Sequence, residues 1–359
     1  MDNAAKGAAA ATAQERIPLL GMTLEQLRDV AAQEGLPRFT AQQIARWLYV
    51  QRVTDIDAMT NLGKAARARL KERYCVGREQ PISAVRSADG TVKYLFDSHC
   101  GLDVEAVYIP DHDRATLCIS SQAGCKMHCA FCMTGRQGFH GNLTAATIIN
   151  QVLSVENSDR LTNIVFMGMG EPMDNLPAVL QAIEVLTAPW GLAWSPRRIT
   201  VSSIGKLPEL QTLLDQTQVH VAISLHSPRP AQRERLMPVE KAWPSRTVLD
   251  LLRGYDFAHQ RRLSMEYIMW EGVNDTLEYA DALARVLRGT DARVNLIRFH
   301  AIPGSDLRPC SRQRMEDFRD RLNQLGITAT IRASRGEDIM AACGMLAGRN
   351  NSQNTDTEQ

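Results

Sequence analysis

The chain has 359 residues, 44% of them apolar, which is enough for a sizeable core and, by length, about two domains. Its 41 Lys and Arg against 40 Asp and Glu leave a formal charge of +1, excluding a uniformly basic nucleic-acid binder and leaving room only for a local basic face. No apolar run approaches the ~18 residues needed to cross a bilayer, and Ala8–Ala11 follows no basic segment, so neither a membrane span nor an export signal is expected.

Residues 1–16 are rich in alanine and 349–359 lack any large hydrophobe; both are expected to be disordered tails. From Thr23 to Tyr74 apolar residues recur at helical spacing (Leu24, Leu27, Val30; Ile44, Trp47, Leu48; Ala65, Ala68), with Thr23 and Thr40 placed as N-caps. This predicts a small helical domain over 17–85. Val92–Phe96 and Leu102–Ile109 follow, the second alternating apolar residues with Asp103 and Glu105, and predict a β-hairpin over 86–114.

Beyond it, short apolar runs alternate with amphipathic stretches. Strands are predicted near Ala115–Ser120, Asn163–Met167, Arg198–Ser202, His220–Ser224, Ser264–Met269 and Arg293–Phe299. Helices are predicted near Leu143–Val155, Leu176–Leu186, Pro208–Leu214, Thr247–Phe257 and Leu277–Leu287. Six strand–helix alternations over 115–348 argue for a parallel sheet of α/β type, a partial (β/α)6 barrel, which Ile327–Ile331 closes or extends.

Eight cysteines in a long chain without an export signal favour a metal or catalytic role over a disulfide framework. Cys125, Cys129 and Cys132 stand at spacings of four and three just past the first barrel strand. Three thiols on one loop suit three irons of a [4Fe–4S] cluster, whose fourth iron is then open to a small molecule. A zinc site borrowing His128, or three buried thiols, are the competing readings. The other candidates sit at strand ends, where parallel barrels build their active sites: Gly168, Gly170 and Glu171 after the second strand, Ser202 after the third, Ser224 and His226 after the fourth, and His300 after the sixth. In Gly168-Met-Gly170-Glu171 the glycines let backbone approach a ligand, with Glu171 able to accept from its amine; a plain βα turn is the bland alternative. Each serine, taken singly, also reads as a helix cap. Cys75, Cys100 and Cys310 read as small buried hydrophobes.

The C-x3-C-x2-C motif resembles that of the radical S-adenosylmethionine (SAM) enzymes. With Asp113–Cys125, Met167-Gly-Met-Gly-Glu-Pro172 and Arg335-Gly-Glu-Asp-Ile-Met-Ala-Ala-Cys343-Gly, the chain resembles the RlmN family from about Thr23 to Gly348. That resemblance implies a radical SAM barrel and methylation of adenosine C2 in 23S rRNA, and of the adenosine beside the anticodon in some tRNAs. It also implies a [4Fe–4S] cluster on Cys125, Cys129 and Cys132, two SAM molecules per turnover, and SAM contacts at Gly170, Glu171, Ser202, Ser224, Leu225 and His226. Where many relatives carry Asn, this chain reads Phe299-His300-Ala-Ile-Pro, so His300 is the matching position with a different side chain.

By resemblance, SAM methylates Cys343, a deoxyadenosyl radical takes hydrogen from the S-methyl group, and the thiomethylene radical adds to adenine C2. Cys118 then attacks the Cys343 sulfur, releasing the base and leaving a Cys118–Cys343 disulfide. Glu105 matches the acceptor of the C2 proton, while its strand alternation reads equally as a solvated polar face. RNA would meet Arg229, Arg233, Arg235 and Lys241 after the fourth strand, and Arg38, Arg46, Lys64, Arg67, Arg69, Lys71 and Arg73 of the helical domain; such runs also occur as plain solvated faces. A flavodoxin-like electron donor, a monomer and a cytoplasmic location complete the expectation. A Cfr-like methylase of adenine C8 and a non-enzymatic Fe–S RNA-binding protein are the alternatives.

Overall fold

In a computed structural model the chain is described over residues 16–259 and 261–348; the tails expected to be disordered lie outside that range but for Arg16. The helical segment begins with β1 (Ile17–Pro18) and α1 (Leu24–Gln33), where Thr23 accepts from Gln26 N and Gln26 reaches back to Thr23 N, closing a reciprocal cap. Thr40, expected to cap the next helix, is instead its first residue: α2 (Thr40–Ala45) starts from Phe39 without a side-chain cap and runs on into Arg46–Val50. α3 (Lys64–Arg73) buries only Leu70 and leads into β2 (Tyr74–Cys75), which pairs in parallel with β1.

The expected hairpin is the middle of a larger antiparallel unit, β3 (Ser83–Arg86), β4 (Val92–Phe96), β5 (Val104–Asp111) and β6 (Arg114–Cys118). β6 is also the first parallel strand. A two-stranded insertion, β7 (Gln122–Gly124) and β8 (Phe139–Asn142), brackets the cysteine loop and the short α4 (Met133–Arg136). The alternation then continues through α5 (Ala145–Leu153), β9 (Asn163–Phe166), α6 (Leu176–Thr187), β10 (Ile199–Ser203), α7 (Leu207–Gln216), β11 (His220–Ser224), α8 (Pro230–Leu236), α9 (Ser245–Leu252) and β12 (Leu263–Met269). α10 (Leu277–Val286), β13 (Arg293–Arg298), α11 (Arg312–Gln324) and β14 (Ala329–Ile331) end it.

These strands form one sheet in the order β14-β13-β12-β11-β10-β9-β6-β5-β4-β3. The six expected barrel strands are present and neighbour one another in chain order, and the run at Ile327–Ile331 extends the sheet beyond β13, leaving it open. α5 is buried on nearly every side, its polar residues included: Asn150 accepts from Glu79 N and Gln151 from Ser120 N, both at 2.9 Å. Leu19, Leu27, Ile44 and Leu48 of that segment share one buried apolar cluster with Ile148, Val179 and Leu186 of the barrel. A second cluster around Trp270, Phe131, Met237 and Phe299 sits at the C-terminal ends of the strands, beneath the cysteine loop. Among the described residues no helix is long and apolar enough to cross a membrane.

Candidate active site

The cysteine loop is held by backbone. Cys125 N donates to Gly138 O (2.8 Å), Cys132 N to Cys129 O (3.2 Å), and Ala130 N to Leu236 O at the end of α8 (2.9 Å). Cys125, Cys129 and Cys132 line a cavity of about 150 Å³ at the C-terminal ends of the strands, while His128 is exposed outside that wall. Burial pushes the Cys125 thiol up to about 12 and Cys129 well above its ordinary value. Such thiols become thiolates only with a cationic partner, which a metal centre supplies. Among the described residues no three His, Cys, Asp or Glu side chains converge closely enough for a single ion, so the zinc reading lacks its geometry. A cluster takes one thiolate per iron and spans a wider set of ligands, which suits three cysteines spread over one cavity wall.

Gly168 and Gly170 are required, but not for the reason expected. A Cβ on Gly168 would lie 2.7 Å from Ile119 O and Ser120 Oγ, and one on Gly170 (φ +97°) would lie 2.5 Å from Gln122 Cβ. The absent side chains therefore let the turn after β9 press against the segment joining β6 to β7, although both residues also border the cavity. Met169 N donates to Ser120 Oγ and Glu171 N to Gln122 Oε1, both at 2.8 Å. The Glu171 carboxylate accepts from Met173 N and Ile204 N at 3.1 Å, tying β9 to the end of β10, and burial raises it to about 7. It reaches the cavity already anchored by protein donors, with lone pairs to spare.

Ser202, Ser224 and His226 line the same cavity; Leu225 is buried behind them. His226 has φ +56°, its Nδ1 accepts from Ile268 N (3.1 Å), and its ring stands edge-on to Phe131 at 4.8 Å. An imidazole that accepts at Nδ1 carries its proton on Nε2. Burial, with the Arg233 guanidinium nearby, lowers its pKa to about 3. Arg233 itself overturns an expectation. It is fully buried, pairs with Glu240 and donates to Ile204 O, Ser224 O and Leu225 O, so it fastens the strand ends that shape the cavity and offers no charge to RNA. The signal was faint: one Arg among several on a loop reads as basic surface.

Cys118 ends β6 and is buried; Cys343 lies in the loop after β14 and lines the cavity. The two sulfurs are close enough to influence each other's ionisation, and burial pushes Cys118 up to about 12. All eight cysteines are free thiols, so the expected Cys118–Cys343 bridge is not formed here; Cys310 is buried as expected, and Cys75 and Cys100 are half-buried. The Cys343 loop is fastened on three sides. Asp338 accepts from Ser87 Oγ (2.6 Å) and Ala88 N (3.2 Å), and Asp89 accepts from Gly336 N (3.0 Å), all from the β3–β4 turn. Gly344 O accepts from Met133 N (2.8 Å) and Leu346 O from Thr134 Oγ1 (2.8 Å), on the cysteine-loop side.

Glu105 supplies the third fastening. Its carboxylate accepts from Ala347 N (2.9 Å) and lies 2.9 Å from Lys93 Nζ. It is buried, so the solvated-face reading fails: β4 and β6 flank β5, while Met169 and Ala347 lie against Glu105 itself. It is not among the residues lining the cavity. His300 likewise meets the Cys343 loop and not the cavity: Nε2 is 3.1 Å from Ser334 Oγ and Nδ1 3.2 Å from Glu337. Sequence reading missed Arg332 and Glu266, both on the cavity wall. Glu266 was signalled by an acid inside the apolar run Met265–Met269, and Arg332 by its place directly after a strand.

Of the other cations expected to face RNA, Arg229 stacks on Tyr279 and Lys241 pairs with Glu234 at 3.2 Å. In the helical segment Lys71 pairs with Asp57, Arg73 with Glu34, and Arg67 donates to Met59 O and Leu62 O. Arg38, Arg46, Lys64, Arg69 and Arg235 are exposed, and no ion pair involves them among the described residues.

Residues 17–76 match the family model for the N-terminal domain of ribosomal RNA large subunit methyltransferases, and residues 119–285 match the radical SAM superfamily. The chain is similar to a probable dual-specificity RNA methyltransferase RlmN of Bacteroides fragilis, with 57% identity over 92% of this chain and 96% of the relative. It is similar to a dual-specificity RNA methyltransferase RlmN of Syntrophotalea carbinolica, at 42% identity over 93% and 90% of the two chains. A solved radical SAM methyltransferase from Sphaerobacter thermophilus superposes with a TM-score of 0.87 at 39% identity, covering 92% of this chain and 99% of that one.

Proposed function

Because the chain belongs to the RlmN family of radical SAM RNA methyltransferases, we propose that it methylates C2 of an adenosine in 23S rRNA and of the adenosine beside the anticodon in tRNA, with Cys343 as methyl carrier and Cys118 as resolving thiol. The protein is a SAM-dependent methyltransferase with a [4Fe–4S] cluster. Bound together, cluster and SAM supply the methyl group and the radical chemistry that the electron-poor C2 carbon demands. Everything else falls to side chains.

Cys125, Cys129 and Cys132 hold the cluster, while Gly170, Glu171, Ser202, Ser224 and His226 hold SAM beside it, with Leu225 buried behind as their support. The Cys343 sulfur takes one methyl group as a thiolate and carries its carbon to the base. Glu105, handing Ala347 N back to solvent or substrate, accepts the C2 proton, with Lys93 beside it to stabilise the carboxylate until then. The adduct's odd electron would return to the cluster, which gave one up for SAM cleavage, and Cys118 as a thiolate then attacks the Cys343 sulfur: the S–S bond forms, the S–C bond breaks with its electron pair on the methylene carbon, and that carbon takes a proton to become the methyl group as the base leaves. A flavodoxin-like donor supplies the electron for SAM cleavage, and a dithiol reductant reopens the disulfide by thiol–disulfide exchange. His300 supports the Cys343 loop in this scheme.

We further assign residues 17–85 as an RNA-docking domain, 86–114 as a β-hairpin linker and 115–348 as the barrel, in a monomer acting in the cytoplasm. The observation that carries the reading is one cavity walled by Cys343 and the three cluster cysteines, with Cys118 within electrostatic reach of Cys343. Peptide mass spectrometry of the wild type incubated with SAM and a reductant should show one added methyl on Cys343. Cys343→Ala should keep its iron and make no methyladenosine. A methyl on another residue, or an active Cys343→Ala enzyme, would remove Cys343 from the reaction.

A further inference from the structure

Both steps assigned to the cysteine pair start from a sulfur anion and end with neutral sulfur. An anion at such a place is costly unless a fixed positive charge faces it. Among the described residues lining the cavity one guanidinium is present, that of Arg332. Its backbone N donates to Leu296 O (2.8 Å), so the residue continues β14 along β13, and its Nη1 lies 3.5 Å from Met167 Sδ on the cavity wall. It also borders a larger cavity of about 1210 Å³ at the N-terminal ends of the strands, so the guanidinium forms part of the floor between the two. The charges that act on it are those of Cys343, most strongly, then Glu266 and Cys118.

Glu266 is built to complement this. It is 3% exposed in the middle of β12, its Oε1 accepts from Ser264 Oγ (2.9 Å) and Asn295 Nδ2 (2.8 Å), and its Oε2 is buried without a hydrogen-bond partner. Glu266 and Arg332 line the same cavity without forming a direct ion pair, so the open carboxylate oxygen feels the guanidinium's charge without occupying its donors.

We infer that Arg332 is the shared counter-ion of the Cys118 and Cys343 sulfurs, a positioning residue that stabilises whichever of them is the thiolate, and that Glu266 balances the guanidinium when both sulfurs are neutral. The inference deepens the proposed function and rests on both cysteines acting there. Before methyl transfer the guanidinium faces the Cys343 anion. Once that sulfur is a thioether the charge is free to face Cys118, whose burial alone would keep it a thiol. One fixed charge thus serves two nucleophiles in turn.

The test follows the reactivity of the Cys343 thiol toward iodoacetamide in the holoenzyme without RNA, read by peptide mass spectrometry across a range of pH. Arg332→Gln, and Arg332→Met as a second charge-free variant that keeps the apolar stem, should alkylate several-fold more slowly at neutral pH, because removing the fixed positive charge leaves less of the reactive thiolate. Raising the pH should close the gap, and Arg332→Lys should recover most of the rate. Glu171, His226 and Glu266, the other titratable groups facing the cavity besides the cysteines, are the same in all four proteins. Unchanged rates in both charge-free variants would overturn the inference, as would a loss that neither high pH nor lysine restores. Methylation of Cys343 in the wild type is scored separately: its absence contradicts the proposed function, whereas its presence with charge-independent alkylation contradicts only the role of Arg332.

Discussion

Single side chains at this site do two things at once, and His226 shows it most clearly. It borders the cavity at the C-terminal ends of the strands and, as a neutral acceptor, terminates the Ile268 N–H of β12. Its pKa falls from 6.5 to about 3, so the unfolded chain takes up a proton on acidification that the folded chain refuses. Stability from this group is therefore present above about pH 6.5 and lost as pH falls through that value toward 3. Between pH 7 and pH 5 the loss is about 2 kcal/mol. Asn tolerates the positive φ and offers an acceptor, so His226→Asn should lose less stability than the wild type over that interval in denaturant titrations. Equal losses in both proteins would show that other groups set the acid limb. At this scale the sequence was legible where spacing sets proximity, as in Cys125, Cys129 and Cys132, which the structure places on one cavity wall. It was illegible where the meaning of a residue depends on what it faces: Arg233 and Arg235 sit two residues apart, one wholly buried and one exposed.

Among the elements, the turn between β3 and β4 lies outside the cavity yet fastens the loop that carries Cys343. It reaches across to the loop carrying Cys343, through Ser87 and Ala88 to Asp338 and through Asp89 to Gly336. Hydrogen bonds to a charged carboxylate are stronger than those between neutral groups. Asp338→Ala should therefore loosen the segment 333–348, speed its cleavage in limited proteolysis and slow S-methylation of Cys343 several-fold, with iron content unchanged. Wild-type proteolysis and methylation rates would show that the other fastenings suffice. The strands of the barrel were readable as short apolar runs, and His220–Ser224 of the barrel and Val92–Phe96 of the antiparallel unit appear with the boundaries expected. β3 was not, since its Ala84, Val85 and Arg86 are exposed at the edge of the sheet and carry no apolar alternation. α11 was missed for a related reason: seven of its thirteen residues are charged, and only Met315, Phe318 and Leu322 are buried.

For the whole molecule, the near-zero net charge conceals an uneven distribution of unpaired cations. Most basic residues of the barrel loop are neutralised by acids or buried, whereas Arg38, Arg46, Lys64 and Arg69 of the helical segment stand exposed, with Phe39 beside Arg38 at 62% exposure. Reversing those four charges to Glu should weaken RNA binding at least about tenfold and flatten its salt dependence, because each lost phosphate contact lowers the slope by about one. S-methylation of Cys343 without RNA should be unaffected, which separates docking from chemistry. Unchanged RNA affinity would move the contact surface elsewhere. The activity proposed for this assembly of helical segment, hairpin and open barrel is methylation of adenosine C2 in folded RNA. Nucleoside mass spectrometry of unmodified 23S rRNA incubated with the reduced holoenzyme and SAM is the decisive measurement. The wild type should make 2-methyladenosine and Cys343→Ala should not; 8-methyladenosine, or no modified adenosine from an iron-replete enzyme that cleaves SAM, would contradict C2 methylation.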